Sequence, residues 1–205
     1  MDQIIQNLKK TIFKVAEHED RDLNGICDKG IFYMPDLAFA YIVGKEIARN
    51  ADTVFEGLKY TWSREYTLDE YGVAAAIFEA QDPAHQSILI QFKMRDTFLS
   101  YINDIKDLRR QKQEGQYRKL FCAVVEVFEQ QYDEYFRSLK EAFGREANLL
   151  GTTRPFYTWS DKYKQQLVYI IGLWEVLPEG EQPVAVTSTV QDIDHGDLHF
   201  LDTSI

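Results

Sequence analysis

The sequence predicts a mixed α/β domain on three observations. Apolar residues recur at helical spacing near the start, two runs of strand character meet across a short polar turn, and a continuous apolar run follows them after another helical segment. With 205 residues, 45% hydrophobic and 27% charged, the chain falls in the range of ordinary globular proteins and is long enough to bury a sizeable core. Residues 1–150 read as an α/β core with its N-terminal helices, and 151–205 as a mostly β extension packed on the same domain.

Ile4, Ile5, Leu8, Ile12, Phe13 and Val15 predict an amphipathic helix from Gln3 to Glu17. Asp20 to Ile31, with Asp-Arg-Asp-Leu-Asn-Gly and Lys-Gly, has turn composition and is expected to form a loop. Pro35 suits a first helical position, where its missing N–H would be unpaired anyway, and it opens a helix striped by Leu37, Ala38, Tyr41, Ile42 and Ile47. Alternating Tyr, Trp and Thr between Leu58 and Leu68 predict a strand. Val73 to Ala80 and Ser87 to Met94 read as a hairpin around Gln-Asp-Pro-Ala-His-Gln.

Phe98, Leu99, Ile102, Ile105 and Leu108 return to helical spacing. The apolar run Leu120 to Phe128 suits a strand buried on both faces; reached through a helical crossover, it is expected to lie parallel to its predecessor. Tyr132 to Phe143 reads as a helix stopped by Gly144. Beyond Gly151, Tyr- and Trp-rich strands follow, notably Gln166 to Leu177 and Val184 to Val190, before a polar end.

Twenty-three Lys+Arg against 33 Asp+Glu leave a net charge of −10. Such a surface repels phosphate backbones unless its cations are gathered in one place. Lys106, Arg109, Arg110, Lys112, Arg118 and Lys119 form such a gathering and are candidates for nucleic-acid contact, although cations near a helix C-terminus also complement its dipole. Cys27 and Cys122, far apart, read as reduced core residues. The opening MDQIIQNLKK does not read as a signal peptide, and no apolar stretch approaches the ~18 residues of a membrane span, so a cytoplasmic protein without membrane partners is expected.

Among Asp192, Asp194, His195, Asp197 and His199, residues at two-residue spacing would share a face of a strand, Asp192 with Asp194 and His195 with Asp197 and His199, and could then hold a divalent metal, but Asp-His-Gly-Asp is equally turn chemistry. There is no P-loop, dinucleotide Gly-rich loop or Ser-His-Asp order, and no cofactor is expected. Trp62, Trp159, Trp174 and the tyrosines read as core and interface packing, with homo-oligomerisation through the aromatic C-terminal strands left open.

The strand Ile88-Leu89-Ile90-Gln91-Phe92-Lys93, followed at once by an amphipathic helix, resembles the PD-(D/E)XK nuclease superfamily over roughly residues 35–143. That family has a helix carrying an acidic residue, a three-stranded meander whose third strand ends in (D/E)XK, then a helix and another strand. Gln91-Phe92-Lys93 matches the Gln-containing form of Mrr-type restriction enzymes. Gly72-Val73-Ala74-Ala75-Ala76-Ile77 resembles the preceding strand, with Ala74 where the family's metal-binding Asp would stand.

The resemblance implies a restriction-endonuclease-like mixed β-sheet flanked by helices. It also implies phosphodiester hydrolysis with Mg²⁺ held by carboxylates beside the lysine. With the Asp missing and Gln91 uncharged, it further implies a degenerate hydrolytic site in a chain acting as a binding or structural module, towards DNA or a protein. An active Mg²⁺-dependent deoxyribonuclease would instead need carboxylates recruited to Gln91 and Lys93 from Glu46, Glu65, Asp69, Glu70 or Glu79. Each of these also reads as a solvated surface carboxylate. A third reading is an acidic protein-interaction module unrelated to nucleases. A six-residue loop, Gln81 to Gln86, would set Lys93 opposite Ala74 and Gln91 opposite Ala76. A slip of one residue puts Ala75, Ile77 and Glu79 on the lysine's face and makes Glu79 a possible ligand.

Overall fold

The computed structural model describes residues 2–27, 29–63, 67–68, 73–94, 96–110, 117–127, 137, 141, 143–144, 146–160 and 164–178. Helices come first: α1 (Gln3–Cys27), a 3-10 turn (Ile31–Tyr33), α2 (Asp36–Arg49) and the single turn α3 (Ala51–Val54). α1 continues well past Glu17, so the loop expected from Asp20 is largely helix. The cause is tertiary. Asp20 is buried; its carboxylate accepts hydrogen bonds from Ile31 N–H at 3.0 Å and Asn24 Nδ2 at 3.0 Å, and from the hydroxyl of Tyr169. These partners hold the polar turn composition in a helix, overriding local preference. Gly30, at φ 57°, carries the chain past this anchor, where a Cβ would collide with Asp20 Oδ1 and the Tyr169 hydroxyl. Cys27 ends α1 exposed, which corrects its placement in the core, whereas Cys122 is buried.

Pro35 is the N-cap of α2, in an extended conformation, so the helix begins one residue later, at Asp36. Asp36 Oδ1 accepts the Met94 N–H at 2.8 Å and ties the start of α2 to the end of a central strand. The single strand expected across Leu58 to Leu68 is two, β1 (Tyr60–Ser63) and the short β2 (Thr67–Leu68). β3 (Val73–Ala80) and β4 (Ser87–Lys93) form the hairpin, α4 (Phe98–Arg110) crosses over, and β5 (Tyr117–Val127) follows. β6 (Ala147–Thr152), β7 (Phe156–Ser160) and β8 (Gln165–Val176) complete the strands.

The sheet order is β1-β3-β4-β5-β8-β6, with β2 added on β3 and β7 on β8. β4 and β5 are parallel, as a helical crossover requires, and the remaining pairs are antiparallel. β6 and β7 lie one after the other along the same edge of β8, paired with Gly172–Val176 and Gln165–Tyr169 respectively. β8, from the second half of the β-rich region, is therefore an interior strand of the main sheet.

Helices cover both faces. Phe39, Val43 and Ile47 of α2 and the stripe of α1 pack on Phe78, Ile90, Phe92 and Cys122. Tyr101, Ile105 and Leu108 of α4 pack on the other face, on Leu89, Phe121, Val125 and Trp174. Burial on both faces explains the unbroken apolar stretch of β5 from Leu120 to Val125. Among the described residues no helix is long and apolar enough to cross a membrane. Arg137, Glu141 and Phe143 are helical within the expected Tyr132 to Phe143 helix. Val184 to Val190, the Asp192 to His199 run, Lys112, Glu65, Asp69 and Glu70 lie outside the described residues.

Candidate functional site

The site is built on β4. Side chains alternate along a strand, so Leu89, Gln91 and Lys93 share the face covered by α4. The β3–β4 register pairs Ala75 with Gln91, Ala76 with Ile90, Ile77 with Leu89 and Phe78 with Ile88. It differs by one residue from the register of a six-residue loop. The turn is what shortens it: Asp82 Oδ1 accepts Ala84 N–H at 2.9 Å, Asp82 O accepts His85 N–H at 3.0 Å, and Ser87 Oγ accepts Ala80 N–H at 3.0 Å. Ala75, not Ala76, thus lies beside Gln91, and Ala74 pairs with Thr67 of β2.

The register extends across the sheet. Gln91 sits between Ala75 on β3 and Phe121 on β5, with Trp174 of β8 beyond Phe121. Lys93 sits beside Ala123, with Gly172 beyond. The missing Cβ of Gly172 is filled by the Trp174 ring, which folds over it. Gln91 is buried in this row, flanked on each side by an apolar residue.

The charges around Lys93 come from α4 and the link leading into it. Lys93 Nζ lies 3.0 Å from Asp96 Oδ2 and 3.6 Å from Asp104 Oδ2, the three side chains being 24%, 32% and 19% exposed. Tyr101 fixes this geometry, since its buried hydroxyl donates to Val124 O at 2.6 Å and accepts the Asp96 N–H at 2.9 Å. Thr97 caps α4 by accepting the Ser100 N–H at 3.3 Å, and Asp96 Oδ1 accepts the Thr97 N–H at 2.7 Å.

Partial burial works against the charge of Lys93, but the hydrogen bond to Asp96 and the charges of Asp104, Asp96 and Asp36 outweigh it, so its pKa is raised. Desolvation also opposes ionisation of Asp96, yet hydrogen bonds from Thr97 N–H and Lys93 bring its carboxyl below the usual range. Asp104 goes the other way: burial raises it despite Lys93, helped by the charges of Asp96 and Asp107. Its Oδ2 is buried without a hydrogen bond, because 3.6 Å to the ammonium is beyond hydrogen-bond reach.

No family model matches this chain, and comparison with curated proteins and with solved structures finds none significantly similar to it.

The other sequence candidates lie elsewhere. Glu46 is on α2, which packs on the opposite face of the sheet; there it accepts from Asn50 Nδ2 at 2.9 Å and lies 3.9 Å from Arg49. Glu79 is exposed near the hairpin turn, four residues along β3 from Ala75, about 13 Å at strand rise. There, after burial itself, its charge helps raise the Tyr117 hydroxyl.

The basic run divides between the two faces. Arg118 faces α1 and donates to Glu175 and Asp2, while Lys119 faces α4 and donates to Leu108 O at 2.9 Å, closing that helix's last turn. Arg109 Nη2 donates to Pro178 O at 3.0 Å, Arg110 lies 3.8 Å from Asp107, and Lys106 is half-buried on α4.

The residues that gather around Lys93, namely Asp96, Asp104 and the orienting Tyr101, are not among those that sequence reasoning picks out. The available signals were the i, i+3 spacing of Lys93 and Asp96 and the capping sequence Asp96-Thr97 before α4. The cluster holds one cation against two carboxylates. Its lysine, with a raised pKa, stays protonated at neutral pH and is a charge partner, not a general base. Among the described residues no three His, Cys, Asp or Glu side chains come close enough to hold a metal ion.

Proposed function

We propose that this chain is a nuclease-like α/β scaffold of the PD-(D/E)XK type whose hydrolytic centre has become a structural ion-pair cluster, and that it works as a binding or structural module. The succession α2, the β1–β3–β4 meander, α4 and a β5 parallel to β4 supports the resemblance. The observation that carries the loss of hydrolysis is the row Ala75–Gln91–Phe121. Mg²⁺ at this place would meet one uncharged carbonyl oxygen and no carboxylate from the strand positions on either side. Phosphodiester hydrolysis of this kind needs carboxylates to hold the metal. The residues beside Gln91 therefore do not fit a Mg²⁺ site.

The test is calorimetric titration of Mn²⁺ into the wild type and Ala75→Asp, alongside a plasmid-nicking assay. The wild type is expected to bind no Mn²⁺ and to leave DNA intact, whereas Ala75→Asp gains binding because it sets a carboxylate opposite Gln91. No gain would remove the placement of Gln91 and Lys93 in the family motif.

One feature favours a second reading, an Mg²⁺-dependent deoxyribonuclease with relocated carboxylates: Asp96 and Asp104 bring two carboxylates to Lys93 from outside the motif strands. Wild-type nicking that disappears in Lys93→Ala would establish it in place of the first.

A further inference from the structure

On the sheet face opposite Lys93, a groove of about 610 Å³ runs between α1 and the α2–α3 pair. Its rims are cationic. α1 brings Lys10, Lys14 and His18, four residues apart and therefore on one helix face, and α2 brings Lys45 and Arg49 at the same spacing. Each row repeats about every 6 Å along its helix.

Two carboxylates also line the groove, Glu19 and Glu46, the latter engaged by Asn50 and Arg49. His18 lies 3.7 Å from Asp22, and Lys45 lies over the Tyr41 ring. Lys10 and Lys14 have no ion-pair partner among the described residues. Four permanent cations thus face two carboxylates in a chain whose net charge is −10. Like charges held around one concavity repel one another, and an anion placed between them removes that repulsion.

The groove is also shaped in advance. Asn7 Nδ2 donates to Thr53 O at 3.1 Å and Val54 O at 3.3 Å, fixing α3 against α1 and closing one end. Val15, Ile42 and Val54 supply an apolar floor. The volume falls within the range of about 300–1,000 Å³ typical of small-ligand pockets and is too small for a nucleic-acid duplex.

We propose that this groove binds a small molecule carrying two or more phosphoryl groups, held between the α1 and α2 cation rows. The assignment is independent of the Lys93 region, which lies on the other side of the sheet.

It is tested by isothermal titration of the full chain with pyrophosphate, with ATP and with a short DNA duplex, at low and at physiological salt. The proteins compared are the wild type and Lys14→Gln/Lys45→Gln, which alters two incompletely buried side chains and should leave the fold intact by circular dichroism. Pyrophosphate and ATP are expected to bind the wild type, and the double variant to bind both about tenfold or more weakly. The assignment is overturned if neither ligand binds at millimolar concentration in low salt, if the double variant binds as well as the wild type, or if the duplex binds more tightly than ATP.

Discussion

Replacing Lys93 with methionine removes the cation facing Asp96 and Asp104 while keeping most of the stem that packs beneath it. At 3.6 Å and an effective dielectric of about 20, opposite unit charges attract by about 4–5 kcal/mol. Much of that is offset, because both groups are largely withdrawn from water. We expect a net loss of about 1–3 kcal/mol at neutral pH, less than for a fully buried pair because each partner keeps some exposure. With a urea slope of about 2 kcal/mol/M this shifts the unfolding midpoint by roughly 0.5–1.5 M.

The pH dependence is the sharper signature. Asp104 already has a raised pKa through burial, and without Lys93 it rises further. A carboxyl whose folded pKa exceeds its unfolded value, about 3.9, costs stability when ionised, so this penalty fades as pH falls through the folded value. Asp96 is depressed in the wild type, partly by Lys93, and stabilises above the unfolded value; this contribution is lost as pH falls through the folded one. Both effects make the gap between wild type and Lys93→Met widest at neutral pH and smaller in acid. Urea unfolding followed by tryptophan fluorescence at pH 7 and pH 4.5, in wild-type and Asp104→Asn backgrounds, reads this directly. A gap equal at both pH values, or unchanged by Asp104→Asn, would refute the coupling of Lys93 to Asp104.

Tyr101→Phe leaves the Val124 carbonyl and the Asp96 N–H without their shared partner and is expected to cost about 1–3 kcal/mol. Hydrogen exchange at the Asp96 amide should quicken, and an unchanged rate would place the control of that link elsewhere. Gly44→Ala puts a Cβ 2.6 Å from Trp62 Cζ2, so the Trp62 ring or the elements carrying the two residues must shift, at about 1–3 kcal/mol. A variant with wild-type stability and unchanged Trp62 emission would contradict that packing.

The β3–β4 hairpin, α4 and the parallel β5 are legible because their periodicities are set by burial, which composition records directly. The Lys93 neighbourhood is legible only in part. Which residue stands beside Gln91 depends on one residue of slip, and that slip is decided by the Asp82 turn and Ser87 Oγ, which carry no apolar signal. Glu46 looks like a candidate while α2 is an isolated helix; packing α2 on the face opposite Lys93 separates them. Asp104 has the opposite history, since an acidic residue on an amphipathic helix reads as surface until α4 turns it towards Lys93. The end of α1 was unreadable for another reason: the residue that stabilises Asp20, Tyr169, lies 149 positions away. β6 is short and contains Gly151, at a register irregularity, so its strand character is weak locally.

The place of β8 inside the sheet sets an order of assembly. It is the last of the described strands to leave the ribosome, yet β5 pairs with it on one side and β6 and β7 on the other. Until it arrives, the buried residues of β5 from Leu120 to Val125 border an open strand edge, and Asp20 lacks the hydroxyl of Tyr169. Such distant pairings close slowly, and an open apolar edge recruits other chains while it waits. Emergence of β8 through Val176 from the ribosome is therefore the step that closes the open edge of β5.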